Sequence, residues 1–186
     1  MTNQNSPYNL PNAITVVRIL MVPVFVWLTL KFGIGQLSSW WGVLVFVFAI
    51  STDGVDGAIA RRKGLITNLG KILDPIADKA LTGAGFILLG FFGMLPWWAV
   101  VLVLLREWGI TVWRLVIASQ VVVPANFGGK LKTVLQSIAI PLMLSPLVGA
   151  FEWIYIFAMA LTWLTVVITV VTGVQYLLAI YGGKRG

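Results

Sequence analysis

The sequence predicts an all-α integral membrane protein, a bundle of six transmembrane helices around a polar cavity facing the cytoplasm. Three observations carry this. Hydrophobic residues make up 59% of the chain and charged residues only 10%, whereas a soluble domain carries about 25% charged residues. The apolar residues fall into runs near the ~20 residues that a membrane crossing needs. The acids are not scattered: of 6 Asp and Glu residues, Asp53, Asp56, Asp74 and Asp78 cluster within apolar, helix-like sequence.

Residues 1–9 are polar and are expected to be loose. They lack the basic start and small-residue cleavage site of a signal peptide, so the first apolar segment is expected to remain as a span. That span covers Leu10 to about Lys31, with Pro23 as a candidate kink. Asn12, Thr15 and Arg18 lie on its early turns. Asn12 reads as a capping residue. Arg18 reads either as a snorkelling side chain or as the partner of a phosphate or carboxylate. Phe32 to Ser39 is a loop. The second span runs from Trp40 to about Arg61 and closes on Arg61, Arg62 and Lys63. The third starts from a cap at Thr67 or Asn68 and runs to about Phe92. Pro75 in its second turn frees a backbone carbonyl, read as a kink or as cavity lining. The fourth span runs from Pro96 to about Ser119. Residues 120–129 are a loop ending in Gly128-Gly129. The fifth span starts at Lys130 and ends near Ser145-Pro146. The sixth runs from about Trp153 to Tyr181, before Lys184 and Arg185. Residues 1–186 form one domain, with mean hydropathy +0.96.

Charge sets the orientation. The basic residues after spans two, four and six share one side, which the positive-inside rule makes cytoplasmic. Trp40, Trp41, Trp97, Trp98 and Trp153 form an aromatic belt on the other side. The net charge of +7 is therefore explained by anionic lipid and topology rather than by nucleic acid. With Cys 0 and His 0, disulfides, thiol chemistry and the usual zinc or copper ligands are excluded.

Asp53 and Asp56 are i,i+3 and share a face of one helix, and Asp74 and Asp78 are i,i+4 on the next. Both pairs lie within roughly 15 Å of the cytoplasmic boundary. Crowded carboxylates stay ionised only around positive charge. Oxygen-only ligands suit Mg2+, Mn2+ or Ca2+. Gly54 reads as helix packing. Ala80, Gly83, Ala84 and Gly85 read as packing or a dimer seam, and a homodimer is expected. Lys71 and Lys79 read as counter-charges to the acids.

Aligned in register, Asp53-x2-Asp56-Gly57-x2-Ala60-Arg61-x8-Gly70-x3-Asp74-x3-Asp78 resembles the signature of the CDP-alcohol phosphotransferases at every position. The resemblance implies that family's membrane bundle, a CDP-linked substrate and release of CMP. It implies two ions, Mg2+ or Mn2+, held by Asp53, Asp56, Asp74 and Asp78. It also implies Asp78 as general base, and Asp56, Gly57, Ala60, Arg61 and Gly70 against the cytidine nucleotide.

A second cluster lies further on. Arg106, Glu107 and Arg114 in span four, with Lys130 and Lys132, give four cations against one acid. The bland reading is an internal salt-bridge set. It leaves cations over, and that surplus points to an anionic ligand. The N-terminus of span five, at Gly128-Gly129-Lys130-x-Lys132-Thr133, is suited to phosphate. These residues, with Asn12-x2-Thr15-x2-Arg18, resemble one branch of the family that takes CDP-diacylglycerol and glycerol 3-phosphate. The resemblance implies that Arg106, Arg114, Lys130 and Lys132 hold the acceptor phosphate. Cardiolipin synthases of the same fold and inositol-phosphate-using relatives are alternatives. A prenyltransferase-like enzyme and a cation transporter are the readings from other classes.

Overall fold

The computed structural model describes residues 10–63, 68–117 and 127–182, several by backbone alone. Among these residues the regular secondary structure is all helical. The helices are α1 (Leu10–Phe32), α2 (Trp40–Lys63), α3 (Asn68–Phe91), α4 (Trp97–Ile117), α5 (Phe127–Leu144), α6 (Leu147–Ala150) and α7 (Glu152–Gly182), with a single 3-10 turn at Leu37–Ser39. Six of them have 18 to 31 residues. At about 1.5 Å per residue the shortest of the six, α5, is roughly 27 Å long. They correspond in order to the six expected spans. Two stretches, Asn12–Phe32 and Glu152–Tyr176, are by length and composition apolar enough to cross a membrane.

Two local expectations are corrected. Gly128 and Gly129 belong to the first turn of α5, not to the preceding loop. Starting the helix at Phe127 adds backbone hydrogen bonds in an apolar setting, which outweighs the cost of glycine in a helix. The short helix α6 was not anticipated, because four residues are too few to show a period.

Pro23, Pro75 and Pro141 lie inside continuous helices. Helix α1 packs on both α2 and α3, more extensively than those two pack on each other. Helix α5 packs on α7, and α4 packs on both α3 and α7. The connection after α1 turns through Gly33 and Gly35, both at positive φ. There Gly35 lies against Gly149 of α6, where an added Cβ would stand 2.2 Å from the Gly35 carbonyl oxygen. Only glycine permits that approach. Of the small residues on α3 read as packing or a dimer seam, two pack within the chain: Gly83 meets Leu104 and Trp108 of α4, and Gly85 meets Ile140 of α5.

The interior is dry at the end formed by the connections 33–39, 92–96 and 145–151. Phe25, Phe46, Leu89, Leu95, Val100, Met143 and Leu144 form one buried cluster there. Elsewhere the distribution is inverted from that of a soluble protein. Arg18, Glu107, Lys132 and Gln136 are buried, while Leu20, Trp98, Trp153 and Leu178 are each more than 60% exposed. Four of the buried threonines are satisfied locally. Thr29, Thr162, Thr165 and Thr172 donate to carbonyls one turn back in their own helices.

Candidate active site

Helix α3 carries the centre of the site. Asp74 and Asp78 lie one turn apart near its start, both partly buried. Pro75 between them does not interrupt the helix. The Asp78 backbone carbonyl accepts a bond from the Thr82 hydroxyl at 2.8 Å. The Thr15 hydroxyl of α1 donates to Asp74 Oδ1 at 2.7 Å. Asn12, Thr15 and Arg18 follow one another at three-residue steps, and all three are buried. Asn12 is thus an interior residue on the third position of α1, not its cap. Arg18 is 1% exposed, so the snorkelling reading is overturned. Its depth follows from its place on the same stripe as Thr15, turned inward.

The second cluster is built on Glu107 of α4. Its Oε1 accepts from Arg106 Nη1 at 3.0 Å and from Lys132 Nζ at 2.5 Å. Lys79 of α3 stands 3.4 Å from Oε2, an ion pair rather than a hydrogen bond. The same Lys79 ammonium bonds Asp78 Oδ2. Arg106 is held on a second side, since its Nη2 donates to Thr172 Oγ1 of α7 at 2.9 Å. Gly173 makes room for the arginine stem, because a Cβ there would lie 2.9 Å from Arg106 Cγ. Five charged groups from α3, α4 and α5 therefore form one connected set: Asp78, Lys79, Glu107, Arg106 and Lys132.

Sequence reasoning placed Arg106 and Lys132 together but missed what joins them to the aspartates. Lys79 was read only as a counter-charge, and Thr172 carried no signal among the many threonines of α7. The salt-bridge reading pairs Glu107 with one arginine, whereas Glu107 holds Arg106, Lys79 and Lys132. Lys132 is drawn inward, 4% exposed, and lies past the first turn of α5. Its ammonium therefore sits inside the bundle rather than at the helix N-terminus. Gly70 is buried at the start of α3. The side chains of Asp53, Asp56, Ala60, Arg61, Arg114 and Lys130 lie outside the described residues, as does the packing around Gly57. The backbone of α2 is helical through 53 and 56, which keeps those two positions on one face.

Among the described residues no three metal-ligating side chains converge. The donor set still fits a hard divalent cation. It offers paired carboxylates one turn apart, with one of them oriented by a threonine, and no nitrogen or sulfur competitor. Two open grooves flank α4. One of about 610 Å3 lies between α4 and α7 and is lined by Trp98, Val101, Leu105, Val174 and the stem of Arg106. The other, of about 660 Å3, is lined by Leu104, Trp108, Val112 and Trp113. Both are apolar and neither contains Asp74 or Asp78.

Residues 8–171 match the family model for CDP-alcohol phosphatidyltransferase. The chain is similar to a probable phosphatidylglycerophosphate synthase of Mycobacterium tuberculosis, 45% identical over 90% of this chain and 79% of the relative. It is also similar to a CDP-diacylglycerol–glycerol-3-phosphate 3-phosphatidyltransferase of Bacillus subtilis, 40% identical over 91% of this chain and 93% of the relative. A protein of that same description in Rickettsia typhi is 36% identical over 90% of this chain and 94% of the relative.

Proposed function

The chain belongs to the CDP-alcohol phosphatidyltransferase family, and on that premise we propose that it transfers a phosphatidyl group from CDP-diacylglycerol to glycerol 3-phosphate with release of CMP. The observation that carries this reading is the Lys79 ammonium, which touches both Asp78 and Glu107. A carboxylate suited to a metal-held pyrophosphate thus stands beside a cluster of cations suited to a phosphomonoester. An acceptor with a phosphate at one end and a hydroxyl at the other spans such a pair.

Asp53, Asp56, Asp74 and Asp78 would hold two divalent ions, Mg2+ or Mn2+, which when bound neutralise the pyrophosphate and the charge growing on the leaving CMP phosphate. Thr15 orients the Asp74 carboxylate. Asp78 takes the proton of the acceptor hydroxyl as that oxygen bonds to the lipid-side phosphorus. The bond to the CMP phosphate breaks, and CMP leaves with its electron pair. Gly57, Ala60, Arg61 and Gly70 flank the nucleotide. Arg106 and Lys132, with Arg114 and Lys130, bind the acceptor phosphate, as charge-assisted donors do.

The setting is a cell membrane crossed six times, with the basic ends and the site on the cytoplasmic side, and a homodimer as the assembly. The exposed apolar faces of the helices support the membrane setting, and the tryptophans opening α2, α4 and α7 support the orientation. Family membership sets aside the prenyltransferase and transporter readings. Purified protein given CDP-diacylglycerol, glycerol 3-phosphate and Mg2+ is expected to release CMP. An acceptor panel adding inositol phosphate and phosphatidylglycerol is expected to favour glycerol 3-phosphate. No CMP release, or full activity in Asp78→Asn, would defeat the proposal.

A further inference from the structure

Glu107 is 4% exposed and gathers three cations from three helices, Lys79 of α3, Arg106 of α4 and Lys132 of α5. Three cations this close repel one another strongly in a low-dielectric interior. The Glu107 carboxylate is the one partner that all three share. Thr172 holds Arg106 from the far side, where Gly173 leaves room for the arginine stem. Lys79 has a second anchor on Asp78.

We propose that Glu107 and Lys79 are positioning residues for the acceptor. Glu107 sets the spacing and aim of Arg106 and Lys132, which hold the acceptor phosphate. Lys79 ties that assembly to Asp78, so the phosphate and the attacking hydroxyl are registered by one chain of ion pairs. Neither Glu107 nor Lys79 needs to touch the reacting atoms. The proposal rests on the acceptor reading given above.

Charge counting alone makes the opposite prediction. Lys79, Arg106 and Lys132 against Asp78 and Glu107 sum to one positive charge. Glu107→Gln raises that to two. If attraction for the anion were all that mattered, the glutamine variant would bind acceptor phosphate more tightly. If Glu107 positions the cations, the variant binds it more weakly, because the cations spread apart.

The test is steady-state kinetics of the full chain in lipid nanodiscs, varying each substrate in turn. Glu107→Gln is expected to raise KM for glycerol 3-phosphate about tenfold or more, the scale of one charge-assisted hydrogen bond. KM for CDP-diacylglycerol is expected to stay unchanged, which also shows that the variant is folded. Glu107→Asp, which keeps the charge but shortens the reach, is expected to shift KM the same way by less. Lys79→Met is expected to lower kcat about tenfold with little change in either KM. Lys79→Arg restores most of that loss. A glycerol 3-phosphate KM in Glu107→Gln that is unchanged or lower, or a parallel rise in both KM values, would overturn the positioning role. Wild-type protein that releases no CMP with glycerol 3-phosphate would instead defeat the acceptor assignment, and this proposal with it.

Discussion

The two ends of this bundle differ in what they bury. The end bearing the connections 33–39, 92–96 and 145–151 is mostly apolar: the rings of Phe25 and Phe46 meet at a tilt of 52° with centroids 5.2 Å apart, with Leu89, Leu95, Val100 and Met143 around them. The other end buries Arg18, Thr15, Glu107 and Lys132 and carries Asp74 and Asp78. The first arrangement is held by apolar packing, and its buried hydroxyls, Thr29, Ser39 and Ser145, donate to nearby backbone carbonyls. The second persists only while each charge has its counter-charge. The lesson is a division of labour along each helix. The dry half fixes the helices relative to one another, and the polar half uses that rigidity to hold charges in register for chemistry.

Substitutions should separate the halves. The largest effect is expected from Asp78→Asn, which should lower kcat by about 10²- to 10⁴-fold, the range of a lost general base. Its thermal unfolding in detergent should stay close to that of the wild type. Phe46→Ala should do the reverse, destabilising the fold by about 3–5 kcal/mol through the cavity it leaves. Denaturation would register that loss, while KM values measured on the folded fraction stay the same. Thr15→Val removes the bond that orients Asp74. It should weaken apparent Mg2+ affinity about 10- to 100-fold, as loss of a ligand's supporting bond does, read from metal titrations of activity. Leu20→Ala, on the exposed face of α1, should change stability by less than about 0.5 kcal/mol and leave the kinetics alone. If Phe46→Ala abolished substrate binding, or Asp78→Asn unfolded the protein, the two halves would not be independent.

The parts legible in sequence were those with a strong local signal. The start of α2 at Trp40 follows from paired tryptophans beside a long apolar run. The Asp74–Asp78 pair follows from helical spacing. Asn12 was misread because a cap and a buried polar residue look alike without knowing where the helix starts. Lys79 was undervalued because its second partner, Glu107, is distant in sequence, and no periodicity reports which face of α3 meets α4. Lys132 was taken for a helix-terminal phosphate ligand because the true start of α5 lies among glycines, which carry no pattern. The six long helices were readable from hydropathy, but the short α6 was not. The seating of α1 across α2 and α3 was not, since it depends on side chains packing across helices.

The most direct measurement is acceptor-dependent CMP release by the full chain in nanodiscs, followed with and without a divalent chelator. CMP is expected only when CDP-diacylglycerol, glycerol 3-phosphate and Mg2+ or Mn2+ are all present, with loss on chelation and recovery on adding metal back. CMP formed equally well without glycerol 3-phosphate, or release that persists in excess chelator, would contradict it.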